Sequence, residues 1–270
     1  MELEDRLTAA VRAAAGERAA YVCYSGGVDS TVVLAASFRA GIETIALLGV
    51  SPSLAASERA DAHRIALEIG VRIEEIETNE MQLAGYRANA GDRCYYCKSA
   101  LYDTVLALAT TKNSEGVIFV GTHVGDLGEH RPGLQAAIER GVRAPLVDAG
   151  LDKEDVRSLA RYWNLPNAEK PAAPCLASRV PVGIEVTPER LRQIEAVEEF
   201  LREHDVWPAR ARWHDSIVRI EVAAEMFERV TSDPLRDELH RACRKVGFRF
   251  VALDLGGLQS GSVCLPLVTS

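Results

Sequence analysis

The sequence predicts an α/β protein: a doubly wound parallel sheet followed by a small α+β unit. Three observations predict it. Short continuous apolar runs alternate with helix-period segments through the first part of the chain, the signature of strands joined by crossover helices. The first run breaks at Ser25-Gly26-Gly27 and passes at once into a helical pattern. Beyond Thr187 the order becomes α-β-β-α-β, a unit of a size that folds alone. With 270 residues and 47% hydrophobic content the chain can build a substantial core.

The elements follow in order. Leu3, Leu7, Val11 and Ala14 recur at helical spacing. Charge and alanine alternate there, which is an amphipathic helix and not a signal peptide. Ala20 to Tyr24 reads as a buried strand, and Val32 to Ala36 as the helix after the glycines. Ile42 to Val50 is a second strand, followed by a helix from an N-cap at Ser57 to Ile69. Val71 to Ile76 and Val117 to Gly121 are the third and fourth strands. Asp152 caps a helix running to about Trp163. Asn164 to Gly183 is irregular and proline-rich, and a stretch of that kind is usually functional or a linker. Thr187-Pro188 opens a helix to about Glu203. Ala209 to His214 and Ile217 to Ala223 are strands. Glu225 to Val246 is helical with a break near Asp233-Pro234, and Phe248 to Leu255 is the last strand. The expected organisation is therefore residues 1–165, a linker loop over 166–186, and 187–270.

The junction Ser25-Gly26-Gly27-Val28-Asp29-Ser30 has a chemical reading. A strand, a glycine turn and a helix N-terminus make an anion cradle, with backbone N–H groups turned inward and the helix dipole behind them. Asp29 can cap the helix or help hold Mg²⁺. Neither the Walker ending Gly-Lys-Ser/Thr nor the dinucleotide spacing Gly-x-Gly-x-x-Gly is present. The motif resembles the pyrophosphate loop of the ATP pyrophosphatases, which cleave ATP to AMP and pyrophosphate. In an open α/β sheet ligands bind beyond the strand C-termini. That puts Ser51 and Pro52, after the second strand, beside the same pocket.

Net charge is −8, which argues against broad adhesion to nucleic acid or membrane. No apolar run approaches the ~20 residues of a membrane span, and the chain reads as cytoplasmic. Six cysteines in a reducing compartment point to chemistry or metal rather than disulfides. Cys94 and Cys97 form a C-x-x-C pair between Arg93 and Lys98. Cations beside a thiol favour its thiolate form. The pair alone could be redox-active, bind zinc, or supply half of an iron–sulfur site. With Cys175, in the irregular loop near Lys170 and Arg179, three thiolates suit a [4Fe–4S] cluster with one iron open. Cys23, Cys243 and Cys264 have apolar neighbours and read as core.

Taken together, Tyr24 through Ser30, Arg93-Cys94-Tyr95-Tyr96-Cys97-Lys98, Gly121-Thr122 through Asp126, Arg131-Pro132-Gly133 and Pro174-Cys175-Leu176-Ala177-Ser178-Arg179 resemble the LarE family. These are ATP-dependent sulfur transferases of nickel-pincer nucleotide synthesis. The resemblance spans nearly the whole chain. It implies that ATP adenylates a carboxylate of a pyridinium dicarboxylate mononucleotide, and that sulfur then displaces AMP to give a thiocarboxylate. It implies ATP and Mg²⁺ at Ser25, Gly26, Gly27, Val28, Asp29 and Ser30, with Gly121, Thr122 and Asp126 as further nucleotide contacts. Sulfur comes either from Cys175 itself or from a [4Fe–4S] cluster on Cys94, Cys97 and Cys175. Arg179, Arg212 and Arg219, with His214 and Glu221, are the candidates to hold the substrate's phosphate and carboxylates, with Arg131 behind them. The resemblance also implies a homo-oligomer and neighbouring enzymes of the nickel-pincer pathway as partners. One departure stands out: the family pattern Gly-Thr-Asn-x-Asp-Asp is here Gly121-Thr122-His123-Val124-Gly125-Asp126. Competing readings are a tRNA-thiolating enzyme, which would want a basic RNA face, an ammonia-using ligase, which leaves the three cysteines without a role, and a non-catalytic ATP sensor with a structural metal site.

Overall fold

The computed structural model describes residues 2–111, 116–128 and 132–258. Arg131 and Cys264 lie outside the described residues. In chain order the helices are α1 (Glu2–Ala15), α2 (Val28–Arg39), α3 (Ala56–Ile69), α4 (Ala84–Ala88), α5 (Arg93–Thr111), α6 (Pro132–Glu139), α7 (Pro145–Asp148), α8 (Lys153–Tyr162), α9 (Pro188–Glu203), α10 (Phe227–Thr231) and α11 (Leu235–Lys245). The strands are β1 (Ala20–Tyr24), β2 (Thr44–Val50), β3 (Arg72–Glu77), β4 (Val117–Phe119), β5 (Ala209–His214), β6 (Ile217–Val222) and β7 (Phe250–Leu253).

The chain forms two compact units. The first holds Met1–Ser51, Ala56–Leu83 and Asp92–Lys170; the second holds Pro52–Ala55, Ala84–Gly91 and Pro171–Ser270. In the first unit β1 to β4 are all parallel, in the order β3-β2-β1-β4. The chain runs outward from β1 through β2 to β3, then returns to place β4 on the other side of β1. The topological switch point therefore lies between the C-terminal ends of β1 and β4, where open α/β sheets bind ligands. Both faces are covered. Tyr21, Cys23, Ile45, Leu47, Ile76, Ile118 and Val120 pack with Tyr102 and Val105 of α5 and Ala136 and Ala137 of α6. The alternate residues Val22, Tyr24, Ala46 and Leu48, also buried, point the other way. There the Tyr24 hydroxyl reaches the carbonyl of Ala62 in α3.

The second unit carries a three-stranded sheet in the order β5-β6-β7, antiparallel between β5 and β6 and parallel between β6 and β7. Its helix α9 buries Leu191, Ile194, Val197 and Leu201, and its N-cap Thr187 accepts from the Arg190 amide. The α/β architecture and the small α+β unit are as the sequence predicts. Several local details differ. The third helix begins at Ala56, so Ser57 is inside it and is not its cap. Asp29 is not a cap either: α2 starts from Gly27, which makes no side-chain cap bond. The C-x-x-C pair, read from sequence only as a segment between strands, opens the 19-residue helix α5.

Candidate active site

Each residue of the cradle has a physical reason for its place. Gly26 has φ +71°, a conformation that disfavours side chains, and a Cβ there would meet Ala62 at 3.1 Å. Gly121 is confined by packing: its Cβ would stand 2.6 Å from the Ser30 nitrogen. Gly27 is less constrained, with φ −78° and only the Ser25 Oγ within reach of a Cβ, at 3.3 Å. The Ser30 hydroxyl donates to the Gly27 carbonyl (3.0 Å), as does Thr31 Oγ1 (2.9 Å). Ser30 Oγ in turn receives the Ser25 amide at 3.3 Å and stands 3.2 Å from Ser25 Oγ. The first amides of α2, at Val28, Asp29 and Ser30, have no intrahelical acceptor and face the cradle with the dipole behind them.

Two residues absent from the sequence reading complete the loop. Asn167, 3% exposed, donates through Nδ2 to the Gly26 carbonyl (2.9 Å) and to Thr31 Oγ1 (2.8 Å). Lys153 donates to both carboxylate oxygens of Asp29, at 2.6 and 2.8 Å. These contacts span 141, 136 and 124 residues of chain, so no local pattern announces them. Beyond β4, Asp126 is buried and accepts from the His123 amide (3.1 Å), while its other oxygen lies 3.5 Å from His123 Nε2. His123 thus braces Asp126 through its backbone and its ring. Gly125 lets that ring lie close, since a Cβ would meet His123 Cε1 at 3.1 Å. Ser51 follows β2 directly and is half-buried; Thr122 follows Gly121 and is half-buried.

The described cysteines divide as expected between core and surface. Cys23 and Cys243 are buried; Cys94 and Cys175 are exposed and Cys97 is half-buried. None forms a disulfide. Burial pushes the thiols of Cys23 and Cys243 up to about 12. Cys94 and Cys97 sit one helical turn apart on the first turn of α5, which suits two ligands to one centre. Tyr102 first, then Cys97, Cys23 and Cys94, strengthens the hold of Lys98 on its proton, so a fixed cation stands beside this pair. Cys175 belongs to the second unit. Among the described residues, no group of three or more His, Cys, Asp and Glu side chains stands ready-made around a metal position.

In the second unit the arginines have an occupation the sequence reading did not assign. Arg179 is 4% exposed. Its Nε and Nη2 pair with Glu198 at 2.8 and 3.1 Å, and its Nη1 donates to the Pro174 carbonyl (2.7 Å) and Ser178 Oγ (2.8 Å). Arg212, 2% exposed, pairs likewise with Glu221 (2.9 and 3.1 Å) and donates to the Ser178 carbonyl (3.0 Å). Both guanidiniums, expected at the substrate, thus pin the Cys175 segment in place. Arg219 bonds Glu221 and Asp254, and its Nε donates to His214 Nε2 at 3.2 Å. Burial, then the Arg219 and Arg212 charges, holds the His214 imidazole below its usual range. Glu198, the carboxylate behind Arg179, has no signal in the sequence, since it lies on a helix and reads as a surface charge.

A parallel sheet whose first strand runs through a glycine turn into a helix N-terminus at the switch point defines an open, doubly wound α/β protein. The chain is 33% identical over 244 residues to the pyridinium-3,5-bisthiocarboxylic acid mononucleotide synthase of Lactiplantibacillus plantarum, covering 89% of this chain and 87% of that one. The chain belongs to the LarE family. It is also 41% identical over 245 residues to an uncharacterized protein of Synechocystis sp., covering 90% and 91% of the two chains. A third relative, an uncharacterized protein of Methanocaldococcus jannaschii, is 26% identical over 234 residues, covering 87% and 88%. No family model matches the chain. No helix among the described residues is long and apolar enough to cross a membrane.

Proposed function

We propose that this protein is an ATP-dependent sulfur transferase that converts a carboxylate of pyridinium-3,5-biscarboxylic acid mononucleotide into a thiocarboxylate. The observation that carries the reading is the cradle built on Gly26 and Gly121 at the switch point, in a chain 33% identical to a bisthiocarboxylate nucleotide synthase. ATP is the co-substrate. The amides of Val28, Asp29 and Ser30 hold its pyrophosphate portion, with the Ser25 and Ser30 hydroxyls beside them. A substrate carboxylate oxygen attacks the α-phosphorus, the bond from that phosphorus to the bridging oxygen breaks, and pyrophosphate leaves. The acyl-adenylate then receives sulfur at its carbonyl carbon, and AMP departs with the oxygen that carried it. The protein contributes positioning and charge stabilisation rather than covalent chemistry to the first step.

The Asp29 carboxylate is a hard oxygen donor at the cradle, which suits Mg²⁺; that ion would offset pyrophosphate charge. Cys94, Cys97 and Cys175 would hold a [4Fe–4S] cluster, which supplies sulfur as sulfide when bound. The pair on one turn of α5 and the exposure of Cys175 fit that donor set. Without a cluster the donor is Cys175 itself, its thiolate attacking the acyl-adenylate and its Cβ–Sγ bond then breaking by elimination. The Arg179–Glu198 pair holds that cysteine's segment in either case.

The test is a single-turnover reaction with ATP, Mg²⁺ and the dicarboxylate nucleotide under anaerobic conditions. Pyrophosphate release that depends on the nucleotide, and product in which one oxygen is exchanged for sulfur, are expected. Iron and sulfide content of Cys94→Ala, Cys97→Ala and Cys175→Ala then separates the donors: loss in all three marks a shared cluster, while normal iron in the Cys175 variant marks that residue as donor. No nucleotide-dependent pyrophosphate release would refute the reading.

A further inference from the structure

The Lys153–Asp29 pair is partly exposed, and an ion pair of that kind contributes little to stability. Their side chains are 41% and 30% exposed. The pair nevertheless places an ammonium at the rim of the cradle. Its position is well defined. The Asp152 capping box, with bonds of 2.9 Å to the Glu154 and Asp155 amides, fixes where α8 begins, and Lys153 is the first residue of that helix. A few residues after the same helix, Asn167 clamps Gly26 and Thr31. The segment 152–167 thus brackets the cradle at two points.

A polyphosphate entering this site meets the Asp29 carboxylate as a like charge. The group able to resolve that conflict is the one already bound to it. A lysine suits the task, because its ammonium is a compact charge on a flexible stem with rotatable donors. We infer that Lys153 is a polyphosphate-binding residue that exchanges Asp29 for the ligand. In the free protein it holds Asp29; with nucleotide bound, its ammonium takes a β- or γ-phosphate oxygen and Asp29 is released toward Mg²⁺. This rests on the reading of the cradle as an ATP site.

Calorimetric titration of ATP, pyrophosphate and AMP, in EDTA, tests it on wild type, Lys153→Met, Lys153→Arg, Asp29→Asn and the Asp29→Asn/Lys153→Met double variant. Lys153→Met should weaken ATP and pyrophosphate about 10- to 100-fold, the loss of one charged hydrogen bond, and AMP by less than about 3-fold. Lys153→Arg should recover part of the loss. In the Asp29→Asn background Lys153→Met should cost ATP affinity by a similar factor. If it costs nothing there, Lys153 serves only to neutralise Asp29 and the inference is overturned. Equal weakening of ATP and AMP overturns it as well. If Lys153→Met alone unfolds, the comparison of Asp29→Asn with the double variant, in which both partners are neutral, still decides. Wild type that binds no ATP sinks the cradle reading itself, whereas wild type that binds ATP with Lys153→Met unaffected sinks only the exchange.

Discussion

Gly121 and Ser30 meet backbone to backbone: a Cβ on Gly121 would lie 2.6 Å from the Ser30 nitrogen and 2.9 Å from its Cα. The end of β4 is therefore pressed against the start of the helix that follows the cradle. Gly121→Ala must push them apart, at about 1–3 kcal/mol of stability, and should lower ATP affinity by displacing the Ser30 amide. Gly27→Ala should do much less on both counts, since only the Ser25 hydroxyl is near. Urea unfolding and ATP titration of the two variants check this; equal effects would contradict the geometry.

The Arg179–Glu198 pair is buried on both sides, with side chains 5% and 7% exposed. Arg179→Met leaves Glu198 an uncompensated buried charge, and the expected loss is about 3–5 kcal/mol. Glu198→Leu in the same background should recover much of it, because no lone charge then remains. The double variant should still show faster alkylation of Cys175, since the bonds from Arg179 to Pro174 and Ser178 are gone. Chemical denaturation and timed iodoacetamide labelling read the two effects separately. Recovery of stability with unchanged labelling would show that the arginine does not steady the cysteine.

Cys23 and Cys243 are raised by burial from 9.0 to about 12. Both folded values lie above the unfolded one, so the stabilisation they contribute is complete below pH 9.0 and is lost as pH rises toward about 12. At pH 8 the native protein should be alkylated at Cys94 and Cys175 but not at Cys23 or Cys243. Peptide mapping after labelling measures this. Rapid modification of Cys23 at pH 8 would place it outside the core.

Much of the first unit is legible because its signals are local. The apolar run of β1, the two glycines and the helix after them are contiguous, and the Asp152 cap lies beside the helix it starts. The start of the helix carrying Cys94 and Cys97 has no periodic signal, because Tyr95-Tyr96 and the flanking cations lack a clear apolar stripe. Lys153 and Asn167 were invisible for another reason: their partners lie more than a hundred residues earlier, and nothing in a lysine or an asparagine names a distant acceptor. In the sequence alone Arg179 and Arg212 read as anion ligands, because a guanidinium fits a phosphate and a carboxylate equally well. Only the fold shows that the carboxylates belong to Glu198 and Glu221.

The short stretches Pro52–Ala55 and Ala84–Gly91 belong to the second unit although they interrupt the first. Asn89 donates to the carbonyls of Val180, Pro181 and Ile184, and the Ser53 carbonyl accepts the Leu176 amide. During synthesis these early stretches leave the ribosome long before the residues they will hold. Cutting the gene at residue 170 would strip the second unit of two stretches that stay with the first fragment, so residues 171–270 are not a self-sufficient cassette.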